Sequence, residues 1–154
     1  MSTTTQASVD DAAQTQKPNS VVRHLPTVGR ILMGLLFFVF GLNGFLHFIP
    51  EPKTAMPEGA AAFAGALMKT GYMFPLIVGT QLLVGVLLLL NRFVPLALAL
   101  IAPIIVGIVT FHLFLAPSGM AIALVVLVLE LYLAWVYRKA YRPMLASHTT
   151  PGTE

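Results

Sequence analysis

The chain has 154 residues, of which 57% are hydrophobic and only 10% charged, and its formal net charge is +3. That leaves too little charge to cover a water-soluble domain, so the composition is that of an integral membrane protein. Cysteine is absent, which excludes disulfides, thiolate nucleophiles, iron–sulfur ligation and cysteine zinc sites within the chain; the basic balance reports orientation in a membrane, and no nucleic-acid-binding pattern accompanies it.

Residues 1–27 open with small polar side chains and the adjacent Asp10 and Asp11. They lack the basic start and early apolar core of a signal peptide and are expected to form a disordered cytoplasmic tail. Four apolar runs follow, at 28–48, 72–90, 93–115 and 120–137. Each is near the ~20 residues that a helix needs to cross a ~30 Å hydrocarbon core. Unbroken runs favour helices over the alternating segments of a barrel. The expected fold is all-α: a transmembrane antiparallel four-helix bundle within residues 28–145, with a short interfacial helix in its first outer loop.

The connections carry the topology. Asn91-Arg92 and Pro117-Ser118-Gly119 are tight turns, which make neighbouring helices antiparallel. The longest connection holds Pro50, Pro52 and Pro57, then Phe63, Leu67 and Met68 at helical spacing. That segment is expected to lie on the outer membrane surface or to cap the bundle. Pro103 falls inside the third run, where it is predicted to kink the helix and free the Ala99 carbonyl. Gly34 and Gly41 share a face of the first helix, and Gly79 and Gly85 lie on the second, a signal of close helix approach. Residues 146–154 are polar again and are expected to be a second disordered cytoplasmic tail.

Arg23, Arg30, Arg92, Arg138, Lys139 and Arg142 fall on one side of a four-span arrangement. The other side has Lys53 and Lys69, accompanied by Glu51 and Glu58. The excess of basic residues on the first side places both termini in the cytoplasm, with Tyr132, Trp135, Tyr137 and Tyr141 as an interfacial belt.

Glu130 stands within the last apolar run. A carboxylate at mid-depth costs about 2.5–3.5 kcal/mol on insertion scales and normally faces a bundle interior, where it finds a partner or a function. Counting ~1.5 Å per residue puts Asn43, His47 and His112 near the outer mouth and Gln81 and Glu130 deeper. If these faces converge, they line a polar pocket open to the outside. Each also has a structural reading. Asn43 and Gln81 join helices, the histidines bond water or a carbonyl, and Glu130 pairs with Gln81 or is a protonated acid kept neutral by burial. Thr80 and Thr110 are expected to bond back to their own helices. Two histidines and a carboxylate invite comparison with a metal or haem site, but no HxxxH or ExxH spacing supports one. No nucleotide loop, Ser/His/Asp set or cofactor fingerprint is present.

The stretches GRILMGLLFFVFGLNGFLHFIPEP, MPEGAAAF, TGYMFPLIVGTQLLVGVLLLLNRFVPLALALIAPIIVGIVTFHLFLAP and LELYLAWVYRKAYRPML together resemble the DoxX-like family of small four-helix membrane proteins. The resemblance covers nearly everything but the tails. Asn43, His47, His112 and Glu130 match recurring polar positions of that family. The second-span position, often an acid in relatives, is Gln81 here, so a mechanism needing two mid-depth carboxylates does not carry over. The resemblance implies a bacterial cytoplasmic (inner) membrane protein with a redox association. Combined with a polar pocket, it leads to the expectation of a subunit that binds a quinone or similar apolar ring. Electrons would come from a redox protein partner, and the bilayer and a second copy of the chain are the other expected partners. The alternatives are a non-enzymatic scaffold or lipid-binding protein, and a proton-coupled carrier working through Glu130.

Overall fold

In the computed structural model, residues 20–50, 55–145 and 148 are described. The expectations for residues 1–19, for 51–54 (with Glu51 and Lys53) and for most of the C-terminal tail lie outside them. The described residues are helical, without a strand. Their helices are α1 (Ser20–Leu46), α2 (Glu58–Lys69), α3 (Met73–Leu89), α4 (Val94–Phe114), α5 (Met120–Val136) and a single turn, α6 (Arg138–Tyr141). Short 3₁₀ turns lie at Pro117–Gly119 and Pro143–Leu145.

Three segments are long and apolar enough to cross a membrane: His24–Leu46, Val94–Phe114 and Pro117–Val136. A fourth is reached if α2 and α3 count together, and these two are bent by 91° at the break between them. At ~1.5 Å per residue, the 17 residues of α3 sit at the short end of the spanning range. These are the helices of a membrane protein. Large apolar side chains such as Leu32, Leu35, Val106 and Val128 remain exposed on their outer faces, where water would be a poor solvent.

α1 begins earlier than its apolar run. Residues 20–27 continue the helix, with Pro26 inside it, so this part of the expected tail is ordered. A helix satisfies its own backbone whatever its side chains, and a polar flank therefore does not mark its start.

Packing runs from α1 to α3, α3 to α4, α4 to α5 and α5 back to α1. The α1–α3 seam is the tightest. A Cβ on Gly41 would lie 2.6 Å from the Leu82 nitrogen, and one on Gly85 2.5 Å from the Phe38 nitrogen. A Cβ on Gly34 would lie 3.1–3.2 Å from Leu88 and Leu89, tighter than ordinary contact, whereas Gly79 meets only the Phe45 ring at 3.9 Å. The core between the helices is apolar and includes Met33, Phe37, Val84, Leu88, Leu98 and Ile101.

The α3–α4 turn is closed by a left-handed residue, Asn91 (φ 55°), with Arg92 N–H donating to the Leu87 carbonyl at 3.0 Å and Asn91 N–H to the Leu88 carbonyl at 3.2 Å. This is the helix-ending geometry that Asn tolerates best after Gly. Phe93 then adopts φ 51° and starts α4. α2 lies across the other end of the molecule. It buries Ala60, its Gly59 faces Leu115 at the end of α4, 3.4 Å from where a Cβ would be, and the Phe63 and Phe111 rings meet at 5.8 Å.

Arg30 departs from its expected place in a basic flank. It is buried, 7% exposed, inside α1. Its Nη1 donates to the carbonyl of Leu88 and, at 3.4 Å, to that of Leu89. These are among the last carbonyls of α3, at its negative dipole end, and that of Leu88 takes the guanidinium in addition to the Asn91 N–H. Replacing Arg30 with Met is expected to destabilise the protein by about 2 kcal/mol, the scale of a charged hydrogen bond lost from buried carbonyls. Lys at this position lacks the planar fork and should recover only part of the loss. Unfolding of the purified protein by heat or SDS reads the effect, and an unaltered midpoint for the Met variant would show that the α3 end is satisfied without Arg30.

Candidate functional site

Two cavities meet at His112. The inner one, about 470 Å³, lies among α1, α3, α4 and α5. Its walls are mostly apolar, including Phe37, Phe40, Phe74, Ile77 and Val126, and its polar side chains are Asn43, Gln81 and His112. The outer one, also about 470 Å³, is a groove between α2, α3 and α4, lined by apolar residues apart from His112. Both volumes fall in the ~300–1,000 Å³ range of small-molecule pockets.

Asn43 occupies the last turn of α1. Its Oδ1 accepts the Ile49 N–H at 2.7 Å, leaving its amide NH₂ as donors. Gln81 lies midway along α3, half-buried; no hydrogen bond to its side chain is found among the described residues, so its amide offers both a donor and an acceptor. His112 sits near the end of α4 with Nδ1 2.9 Å from the Ala116 carbonyl. A carbonyl only accepts, so Nδ1 carries a proton in this bond, and Nε2 is the ring nitrogen left to meet another group. The ring packs so closely on Gly119 that a Cβ there would overlap it.

Two expected members stand elsewhere. His47 follows the end of α1 in a left-handed conformation (φ 51°), exposed, its N–H bonded to the Asn43 carbonyl at 2.8 Å. It lines neither cavity. The expected sharing of a helix face with Asn43 fails because the helix stops at Leu46 and the chain turns away at the histidine itself.

Glu130 points inward with Ala123, Val126 and Leu133, 6% exposed. It lines neither cavity, although Val126, one helical turn away, does line the inner one. Its Oε2 is fully buried, with no hydrogen-bond partner among the described residues, so the expected pair with Gln81 is not formed. Gly29 of α1 lies against Leu129 and Leu133, the residues flanking Glu130 on α5. Glu130 therefore belongs to the layer of Arg30 and the α3 end, away from Asn43 and His112. Tyr141 closes that end, its phenol donating to the Pro95 carbonyl at 2.9 Å. Burial, and after it the charge of Glu130, push the Tyr141 phenol above its ordinary value, so it holds its proton and remains a donor at neutral pH.

The buried Arg30 was missed as an inward-facing residue because basic residues at span ends ordinarily mark orientation. The signal for it was its position one turn inside the apolar run, directly after Gly29. Thr80 and Thr110 bond back to the carbonyls of Leu76 and Val106, at 2.8 and 2.9 Å. Pro103 lines the outer groove. No cluster of three His, Cys, Asp or Glu side chains able to hold a metal occurs among the described residues. Comparison with family models, curated proteins and solved structures found no match to the chain.

Proposed function

We propose that this chain is an antiparallel four-span bundle of the DoxX-like type that binds an apolar ring of quinone type in the inner cavity. It would reside in a bacterial cytoplasmic membrane with both termini inside and work beside a redox protein that supplies electrons. The observation that carries the reading is the convergence of Asn43, Gln81 and His112, from three different helices, on an otherwise apolar cavity of about 470 Å³. The donor and acceptor pattern suits such a ring. The Asn43 amide and Gln81 offer donors to a carbonyl, while His112 Nε2 accepts from a hydroxyl. A quinone presents the first and its reduced form the second, so one site accommodates both. Glu130 lies outside this cavity, and proton relay through it forms no part of the proposal.

A decyl-substituted benzoquinone, titrated into the protein in lipid nanodiscs, should bind saturably. Gln81→Leu and His112→Phe should each weaken it roughly fivefold, the loss of a hydrogen bond worth about 1 kcal/mol. Absence of saturable binding to the unaltered protein would overturn the reading.

A scaffold or lipid-binding role has support of its own. Asn43 and His112 already bond the backbone just beyond their own helices, at Ile49 and Ala116. That is what residues serving only to end α1 and α4 would do.

A further inference from the structure

The inner cavity accounts for a ring and leaves the outer groove unused. The two share a wall of Phe74, Ile77, Ile108 and His112, so a single layer of side chains separates them. We propose that the ligand is a two-part amphiphile, its ring in the inner cavity and an attached hydrocarbon chain threaded between α3 and α4 into the groove beneath α2. This rests on the reading of the inner cavity as a ring site.

The groove has the chemistry of a chain site. His112 is the one polar side chain facing it, and that histidine is bonded to Ala116. Two features of α4 hollow it out. Pro103 stands inside the helix, where it supplies no N–H and only a short ring, and Gly107 supplies no side chain, with open space within 4 Å of where a Cβ would be. Both residues are exposed, so the groove opens sideways, where hydrocarbon chains would lie around a membrane helix. α2 roofs it with Phe63, Ala64 and Leu67.

Passage through the shared wall needs rotation of Phe74 and its neighbours, which side chains accomplish without moving a helix. A chain moving from lipid into this groove exchanges one apolar surrounding for another. The groove therefore selects chain shape and route, and the ring contacts carry affinity.

The test compares a chainless dimethoxy-methyl-benzoquinone with its decyl derivative, both in nanodiscs. Gly107→Phe projects a ring into the groove from a position with room for it, and Ala64→Trp fills the groove from α2. Either should weaken the decyl compound about tenfold by overpacking its path, while the chainless ring binds both variants as it binds the unaltered protein. A diazirine at the far end of the decyl chain should label α2 near Ala64 and α4 near Gly107. Equal affinity of the decyl compound for all three proteins, or labelling spread over Leu32, Leu35 and Val128, would overturn the chain site and leave the ring site standing. Failure of both compounds to bind the unaltered protein would remove the ring site and the chain site together.

Discussion

Gly85→Leu should fail to accumulate as folded protein. Gly85 of α3 lies against the backbone of Phe38 in α1, so that even a Cβ would sit 2.5 Å from its nitrogen and 2.7 Å from its Cα. Backbone cannot rotate aside as a side chain does, and the two helices must separate. On the same seam, Gly41 meets the Leu82 backbone and Gly44 meets Val78, so separation at one point loosens all three. Overpacking a filled core costs about 1–3 kcal/mol for a few added methylenes; with backbone as the obstacle, Ala at 85 should reach the top of that range and Leu should exceed it. In a membrane, where helices gain little by hiding apolar surface from one another, close packing is a principal source of association. Gly107→Leu is the control, because that glycine faces open space. Fluorescence-detected gel filtration after mild heating should separate them, with Gly85→Leu aggregated and Gly107→Leu monodisperse. Equal behaviour of the two would mean that the α1–α3 seam yields and does not hold the fold.

The contrast between these glycines also shows what was legible before coordinates. Hydrophobic run lengths located α3, α4 and α5 to within a residue or two, because apolarity over some twenty residues leaves few alternatives. The spacing of Gly34 and Gly41 signalled a packing face, but the sequence does not say which glycine meets backbone and which meets only a ring, as Gly79 does. The polar residues behave likewise. Asn43, Gln81 and His112 share a cavity, although counting from the helix ends puts Gln81 a layer deeper than the other two. His47 does not, because a helix end shifted by two residues redirects every side chain beyond it. Glu130 was placed at the depth of Gln81 by counting residues. It lies instead with Arg30, because depth along a helix says nothing of which neighbours tilt and packing bring alongside. Run length also concealed Arg30, which apolar counting treats as a boundary and the fold uses as a cap.

The fold buries two ionisable side chains, Arg30 and Glu130, toward the same end, and this sets the expected response to changes at Glu130. Glu130→Leu should stabilise the protein by about 1–3 kcal/mol, because an acid whose Oε2 finds no hydrogen bond is replaced by a side chain that needs none. Glu130→Gln should change stability little, since the amide keeps the shape of the carboxyl and leaves the same bonds unmet. Glu130→Lys should cost about 3–5 kcal/mol, because it buries a second cation at the level of Arg30 and removes the acid buried there. Because Glu130 lines neither cavity, binding of the decyl benzoquinone should survive in the Leu and Gln variants. SDS titration followed by circular dichroism gives the stability order, and the nanodisc assay gives the binding. If Leu destabilises as strongly as Lys, the carboxyl is held by a partner in the working protein, and Arg30, the other buried charge at that level, is the residue to test by a double-mutant cycle. If Leu is stable but abolishes ligand binding, the acid acts on the cavity across the turn that separates it from Val126, and the division of the molecule into a ring-binding end and a charged end is wrong.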